Sequence, residues 1–218
     1  MSQENNYRVK YQTIEIGTLD IHLKTLKDKQ QFFDKDDIAQ KLGISSAQWP
    51  IFGILWEAGE VLANLMLTYE IEGKRILELG CGLALASMVL NLRGANITAT
   101  DYHPEVASFL KYNSLLNSKK NIPYFQASWD DKVSIVEKFD VIIGSDVLYE
   151  RTHVNLLSSF IELYANKKCE IIIIDPARGN HNAFCRKMDT FGFSSRNEKP
   201  ITDYLPKAFK GKVLYLNR

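Results

Sequence analysis

The stretch "RILELGCGLALAS", residues 75–87, predicts a buried strand that turns through two glycines into a helix. A phosphate-binding P-loop would need a lysine after the glycines, and none follows. A dinucleotide fingerprint starting at Gly80 would need a third glycine where Leu85 stands. What remains is an acid-x-Gly-x-Gly turn made by Glu78, Gly80 and Gly82. Glycines let a ligand approach the backbone, and the helix that follows directs its free N–H groups toward that ligand.

A second acid, Asp101, ends the next predicted strand in "TATDYHP" and comes 23 residues after Glu78. A carboxylate in that position can accept hydrogen bonds from both hydroxyls of a ribose. Two acids near one ligand disfavour a pyrophosphate. The pattern therefore favours a nucleoside that carries a positive charge.

Strands and helices alternate from residue 75 onward. The predicted strands are 75–79, 96–101, 122–128, 139–146, 169–176, 193–199 and 212–217, and the predicted helices are 83–94, 104–117, 152–166 and 182–192. This alternation predicts an α/β fold with a Rossmann-like, seven-stranded, mostly parallel sheet and helices on both faces. No helix separates the last two strands, which indicates an antiparallel strand at the C-terminal edge. Ligands in such sheets bind beyond the carboxyl ends of the strands.

The N-terminal part is predicted to extend this domain. Residues 10–26 alternate apolar and polar side chains around a Gly-Thr pair, which is typical of a β-hairpin. A short helix is predicted at 34–43 and a longer one at 52–69. We expect residues 1–48 to form an extension within the same domain, and 49–218 to form its main body.

Composition narrows the class of protein. Of the 218 residues, 45% are apolar and 24% are charged, as in a globular domain. Lys plus Arg is 27 and Asp plus Glu is 26, so the net charge of +1 argues against a nucleic-acid partner. No predicted membrane span or secretory leader stands out. Three cysteines without a CxxC pair, and scattered histidines, favour a cytoplasmic protein with no metal site.

From about residue 49 onward the chain resembles the class I S-adenosylmethionine-dependent methyltransferases. The resemblance implies that the cofactor is S-adenosylmethionine, with S-adenosylhomocysteine as its product. It places the turn of Glu78, Gly80 and Gly82 under the methionine end of the cofactor and Asp101 at its ribose. Family members often have a third glycine where this chain has Ala84.

Cys81 and Tyr102 directly adjoin these motifs, so the resemblance adds them to the cofactor-binding set. The alternative for Cys81 is that it is simply small enough to fit the turn.

Two tryptophans extend the resemblance to protein-lysine methyltransferases of the METTL21 group. "ILWEAGEVLANLM" (54–66) is similar to their W-x-A-x-x-L-A helix, which implies that Trp56 forms a wall of the cofactor site. "SWDD" (128–131) is similar to the segment in which a tryptophan lies against adenine, which adds Ser128 and Trp129. The alternative for Trp56 is a place in the core.

The stretch "GSDVLYE" (144–150) matches the D-x-x-Y motif of this group. The match implies that Asp146 orients the acceptor amine and draws off its proton, that Tyr149 shapes the entrance, and that Ser145 contacts the cofactor. Helix capping by Asp146 is disfavoured, because it lies six residues before Thr152. Tyr149 is alternatively a packing residue under the sheet.

The stretch "IIIIDPARGNHNAF" (171–184) is similar to the branch that methylates the electron-transfer flavoprotein β-subunit. It suggests Asp175 and Arg178 as substrate-binding residues, with a salt-bridged turn at the rim of the sheet as the alternative. His103 and His181 are expected at the surface.

The resulting hypothesis is a monomeric N-methyltransferase that acts on a lysine side chain of a protein. The alternative is a small-molecule N-methyltransferase whose acceptor is an amine or a pyridine such as nicotinamide. Short connections after the fourth and fifth strands of the main sheet leave no room for an inserted lid, which favours a macromolecular substrate. A cofactor-binding module without activity is disfavoured by the set of acids, and a nucleic-acid methyltransferase by the absence of a [DNS]PP[YFW] motif.

Overall fold

The computed structural model describes residues 7–117, 120–131 and 137–218. The first six residues of the predicted extension therefore lie outside the described part. The strands are β1 (Val9–Ile16), β2 (Leu19–Leu26), β3 (Arg75–Leu79), β4 (Asn96–Asp101), β5 (Tyr124–Gln126), β6 (Phe139–Ser145), β7 (Ala165–Asp175), β8 (Ser194–Glu198) and β9 (Lys212–Asn217). The helices are α1 (Ile38–Lys41), α2 (Glu57–Thr68), α3 (Leu85–Leu92), α4 (Val106–Asn117), α5 (His153–Tyr164) and α6 (His181–Asp189), with a 3-10 helix at Trp49–Gly53.

Within the described residues, the main sheet has seven strands in the order β5-β4-β3-β6-β7-β9-β8. All neighbours are parallel except those that pair with β9, which runs antiparallel to both β7 and β8. The predicted fold is thus confirmed, with β9 inserted one place inside the edge strand β8. The chain moves outward from β3 to β5 and then returns to β6 on the other side of β3. A crevice opens at this reversal, beyond the carboxyl ends of β3 and β6.

Two apolar layers enclose the sheet. Strand β7 contributes to both, since Ile171 and Ile173 belong to one layer and Ile172 and Ile174 to the other, all fully buried. A strand that is buried on both faces needs an unbroken apolar run, which explains the four consecutive isoleucines. The strand begins at Ala165, earlier than predicted, and its pairing with β6 shifts register before Val141.

The predicted helix over 52–69 is wrong in its first part. The 3-10 helix ends at Gly53, residues Ile54 and Trp56 have extended backbones, and α2 begins at Glu57. By length and composition alone, one stretch of the described residues, Trp49–Thr68, would be long and apolar enough to cross a membrane. The extended backbone at Ile54 and Trp56 divides that stretch into a 3-10 helix and α2. Alanine, valine and leucine side chains of α2 are buried in the core.

The N-terminal hairpin is confirmed and packs into the same core as the sheet. Its turn is at Gly17, where the backbone is left-handed (φ 58°). Ile21, Leu23 and Leu26 of β2 are fully buried. The free edge of β2 faces α4, whose Asn113 and Asn117 side chains bond to backbone groups of the strand.

Candidate functional site

A cavity of about 550 Å³ lies at the carboxyl ends of β3, β4 and β6. The structure brings nearly all the predicted site residues to this cavity: Trp56, Glu78, Gly80, Cys81, Gly82, Asp101, Tyr102, Ser128, Trp129, Ser145, Asp146, Tyr149 and Arg178. Asp175 is the exception. The extension contributes Gln48 to the cavity, and the 3-10 helix that follows it contributes Ile51 and Phe52.

The glycine turn needs its glycines for two reasons. Gly80 and Gly82 have left-handed backbones, with φ of 54° and 50°. A Cβ on Gly82 would lie 2.9 Å from the carbonyl oxygen of Phe52, and one on Gly80 would lie 3.1 Å from a methyl carbon of Val147. Ala84 is also left-handed (φ 56°), which gives a physical reason for a glycine at this position in relatives.

Glu78 is buried beneath the turn. Its carboxylate accepts hydrogen bonds from the backbone N–H of Ser87, at 2.9 Å, and from the Ser87 hydroxyl. Burial raises the pKa of Glu78 to about 7, although the bonds from Ser87 act in the opposite direction. The acid therefore ties β3 to α3 and titrates close to neutral pH.

Asp101 closes the cavity from the neighbouring strand. One carboxylate oxygen accepts the backbone N–H of Gly82 and the other accepts that of His103, each at 2.9 Å. Burial raises the pKa of Asp101, and the backbone N–H groups oppose that shift. Each oxygen retains acceptor capacity for a ligand hydroxyl, since a carboxylate oxygen has two lone-pair positions.

Aromatic side chains form the remaining walls. Trp129 packs edge-to-face on His153 at 4.9 Å, and Tyr149 does the same at 4.6 Å, so one imidazole supports both rings. Burial raises the pKa of Tyr149 well above its usual value. Trp56 donates its indole N–H to the carbonyl oxygen of Ile51 at 3.0 Å, which fixes the ring at the mouth of the cavity.

Asp146 and Arg178 form a two-pronged ion pair at the cavity. The Arg178 Nε lies 2.9 Å from Asp146 Oδ1, and an Arg178 terminal nitrogen lies 2.6 Å from Oδ2. The backbone of Asp146 is left-handed (φ 53°), an uncommon conformation for a residue with a side chain. The salt bridge considered for this region therefore exists, but it joins Arg178 to Asp146.

The predicted substrate contact of Asp175 needs correction. Its side chain is fully buried behind the cavity, and one oxygen accepts the backbone N–H of Arg178 at 3.2 Å. His181, expected at the surface, is mostly buried and faces Asp175 at 3.5 Å. Its other ring nitrogen lies 3.0 Å from the Lys212 ammonium. Asp175 thus supports the loop that carries Arg178.

His103 was also expected at the surface, and this expectation is wrong. The ring is 2% exposed and stacks on Phe52, with centroids 4.0 Å apart. Burial lowers the pKa of His103 to about 3, so the ring is neutral. Phe52 and Gln48 were not predicted as site residues, and nothing local in the sequence marks them. They reach the cavity because the 3-10 helix at Trp49–Gly53 lies against the glycine turn, with the Phe52 carbonyl beside Gly82.

Among residues 7–117, 120–131 and 137–218, no group of three or more His, Cys, Asp and Glu side chains has an arrangement that could hold a metal ion.

Known proteins share both the sequence pattern and the architecture. One curated relative, histidine protein methyltransferase 1 homolog of Dictyostelium discoideum, is 31% identical over 154 residues, which cover 66% of this chain and 47% of that protein. Another, protein N-lysine methyltransferase METTL21A of Danio rerio, is 32% identical over 130 residues, which cover 54% of this chain and 59% of that protein. The chain thus spans about half the length of these relatives.

A solved structure of magnesium protoporphyrin IX methyltransferase from Synechocystis PCC 6803, with bound SAM, superposes with a TM-score of 0.57 at 19% identity. The superposition covers 74% of this chain and 77% of that one, and it shows a shared fold. Residues 37–191 match the profile of a family described as lysine methyltransferase, and this range is more than half of the chain. The chain therefore belongs to the lysine methyltransferase family.

Proposed function

We propose that this protein is an S-adenosylmethionine-dependent N-methyltransferase whose acceptor is a lysine side chain of another protein. The observation that carries the proposal is that the glycine turn, Asp101 and the Asp146–Arg178 pair line a single cavity. Family membership and the relatives named above support a protein acceptor. The cytoplasmic location and the monomeric state are part of the same proposal.

The residues at the glycine turn fit this cofactor. Gly80 and Gly82 line the cavity, and without side chains their backbone can be approached closely by a ligand. Asp101 keeps free acceptor positions for ribose hydroxyls, and Trp129 lies within 4 Å of a Cβ built on Gly80. We infer that Trp129 offers its ring to the adenine and Trp56 encloses the opposite side.

When bound, S-adenosylmethionine supplies a sulfonium methyl group that an amine nitrogen can attack in line. Glu78 and Asp101 line the pocket, and their carboxylates attract this cation when they are ionised. The chain's remaining task is to align the acceptor and to control its charge.

The acceptor amine is oriented by Asp146 in this proposal. A lysine ammonium has no lone pair, and its reference pKa is about 10.4, so it must lose a proton before it attacks. Both oxygens of Asp146 already bond to Arg178, and each has a further lone pair that can accept an amine N–H. Tyr149 lies three residues further on and presents its ring toward the entering side chain.

Incubation of the purified chain with methyl-labelled S-adenosylmethionine and a lysate from its own source tests the proposal. We expect label in a protein band, with methyllysine after hydrolysis. Label in methylhistidine would move the acceptor to another residue type, and label in the small-molecule fraction alone would favour the amine or pyridine alternative. No transfer to any fraction would contradict the proposed activity.

Asp101→Asn provides the matched test of the cofactor site. Because a neutral amide is a poorer acceptor for two ribose hydroxyls, we expect calorimetry to show affinity for S-adenosylmethionine reduced about tenfold or more. Asp189→Asn, at an exposed acid on α6 outside the cavity, is the control and should bind like the unaltered chain. Equal affinity in both variants would show that Asp101 does not bind the cofactor.

A further inference from the structure

The ion pair between Asp146 and Arg178 lies at one edge of the main sheet, inside the cavity. Asp146 follows β6 and Arg178 follows β7, and these strands are parallel neighbours whose loops leave the same edge of the sheet. Both side chains line the cavity. The Asp146 side chain is 17% exposed and that of Arg178 is 45% exposed, so the carboxylate is the more enclosed partner.

Arg178 is held in place from behind. Its backbone N–H donates to Asp175, whose side chain is fully buried. The second oxygen of Asp175 faces His181 Nδ1 at 3.5 Å, and His181 Nε2 lies 3.0 Å from the Lys212 ammonium. Asp175 Oδ2 and His181 Nδ1 are both buried and have no hydrogen-bond partner, so their contact is a close approach and not a hydrogen bond. The bond from the Arg178 backbone N–H to Asp175 therefore holds the loop from which the guanidinium reaches Asp146.

A carboxylate without a cationic partner would hinder the reaction of the acceptor lysine. It would attract the ammonium form of lysine more strongly than the amine and would raise the pKa of the bound side chain. Only the amine can attack a methyl group. A guanidinium within hydrogen-bonding distance cancels the negative charge while it leaves lone pairs on the carboxylate.

We propose that Arg178 is a positioning residue that, through Asp146, keeps the acceptor lysine uncharged in the site. This proposal rests on the proposed function, because it concerns the acceptor of that same reaction. It predicts a change in the pH dependence of methyl transfer, which a merely structural role for Arg178 would not produce.

Other ionisable groups lie in the cavity or beside its walls. Those that line the cavity are Glu78, Cys81, Asp101, Tyr102, His103, Tyr149, Glu150 and His153. Lys29 lies over the Trp56 ring at 4.5 Å, and Asp175, His181 and Lys212 stand behind Arg178. All of these groups are retained in the variants below, so a difference between variants reports on Asp146 and Arg178.

The test measures initial rates of transfer to the acceptor protein labelled in the lysate experiment, from about pH 6.5 to about pH 10. With Arg178→Gln, the unpaired carboxylate stabilises the ammonium, so we expect the rate at pH 7 to fall about tenfold. The rising limb of the profile should move up by about one pH unit, and the rate should recover at high pH. Arg178→Lys keeps the positive charge but cannot make the two-pronged contact with Asp146. Its pH–rate profile should have the same midpoint as that of the unaltered chain, with a lower rate.

The double variant Asp146→Asn/Arg178→Gln provides the decisive comparison. It removes both charges, so the midpoint should return toward that of the unaltered chain although the rate stays low. Circular dichroism on each variant verifies the fold, and Arg178→Lys remains informative if Arg178→Gln fails to fold. A rate for Arg178→Gln that is unchanged, or reduced equally at every pH, would overturn the proposal. If the unaltered chain labels no protein at all, the proposed function itself fails, and this inference fails with it.

Discussion

Glu78 shows how a single buried side chain links the glycine turn to the pH response of the fold. Its carboxylate sits between β3 and α3, with Ser87 as its bonding partner. Burial raises the pKa of Glu78 to about 7 from an ordinary value of 4.5. A buried acid of this kind binds a proton more strongly in the folded chain than in the unfolded one.

The sign of the effect follows from linkage. Between about pH 4.5 and pH 7 the folded chain holds a proton on Glu78 that the unfolded chain has lost, so stability decreases as pH rises through this window. Glu78→Gln keeps an acceptor for Ser87 and removes the titration. We expect its free energy of unfolding in urea to decrease less over this window than that of the unaltered chain. The exposed Glu15→Gln is the control, and an equally steep decrease in the Glu78 variant would refute the assignment.

Gly82 and Gly94 form a matched pair of glycines with left-handed backbones, at φ 50° and φ 80°. A Cβ on Gly94 meets nothing within 4 Å, whereas one on Gly82 lies 2.9 Å from the Phe52 carbonyl oxygen. We expect Gly94→Ala to cost about 1 kcal/mol of stability from backbone strain alone. Gly82→Ala should cost about 2 kcal/mol or more and weaken cofactor binding, since Phe52 must move. Urea denaturation measures both, and equal costs would mean that the Phe52 contact is unimportant.

At the scale of elements, the hairpin is joined to the sheet domain by two asparagines of α4. Asn113 accepts the backbone N–H of Lys24 at 2.8 Å and donates to its carbonyl oxygen at 3.2 Å. Asn117 makes the same pair of bonds to His22, both at 2.8 Å. The two amides therefore act on β2 as a neighbouring strand would.

These asparagines differ in burial, which gives a prediction with an internal control. Asn113 is fully buried, so Asn113→Ala leaves two backbone groups of Lys24 without partners and should cost about 1–3 kcal/mol. Asn117 is partly exposed, and water can replace its bonds in Asn117→Ala, which should cost clearly less. Amide hydrogen exchange at Lys24 should also accelerate in the Asn113 variant. A larger cost at Asn117 would contradict this account.

The elements also show what the sequence can predict. Strands such as β3, β6 and β7 were predicted because a strand buried on both faces needs an apolar run whatever its neighbours are. The prediction of a helix over 52–69 followed the apolar pattern through Ile54 and Trp56 and did not treat Gly53, at which the 3-10 helix ends, as a break. Ile54 and Trp56 have extended backbones directly after Phe52, whose carbonyl lies against Gly82. Gly82 is thirty residues further along the chain, so a local pattern does not reveal this contact.

Inside the site, too, the residues in local motifs were predicted and those placed by other contacts were not. Glu78, Gly80, Gly82 and Asp101 were predicted because each lies in a local strand-turn motif. The burial of His103 depends on its contact with Phe52, which is distant in sequence, and the supporting role of Asp175 depends on a turn in which it accepts the backbone N–H of Arg178. Residue type alone does not distinguish a surface histidine from a buried one.

At the scale of the whole molecule, the N-terminal extension behaves as part of the core. Ile16, Ile21, Leu23 and Leu26 have exposures of 0–1% and belong to the same apolar layer as α2 and α3. The family match begins only at residue 37, so these side chains precede it. A core shared in this way predicts one cooperative unfolding transition.

A variant that contains only residues 37–218 tests this prediction. Loss of the hairpin exposes the apolar surfaces of α3 and α4 that it covered, and burial of each leucine or isoleucine is worth about 1.5–3 kcal/mol. We expect the full chain to unfold in urea with coincident fluorescence and circular dichroism transitions. The shortened chain should unfold at a much lower midpoint or aggregate. An unchanged midpoint would show that the extension is an independent unit.

The pairing of α4 with β2 has a consequence for assembly. An exposed strand edge offers a row of unpaired amide and carbonyl groups to which another chain can add by backbone pairing. Side-chain amides already occupy that row at His22 and Lys24. The helix thereby blocks intermolecular strand addition along the β2 edge of the hairpin.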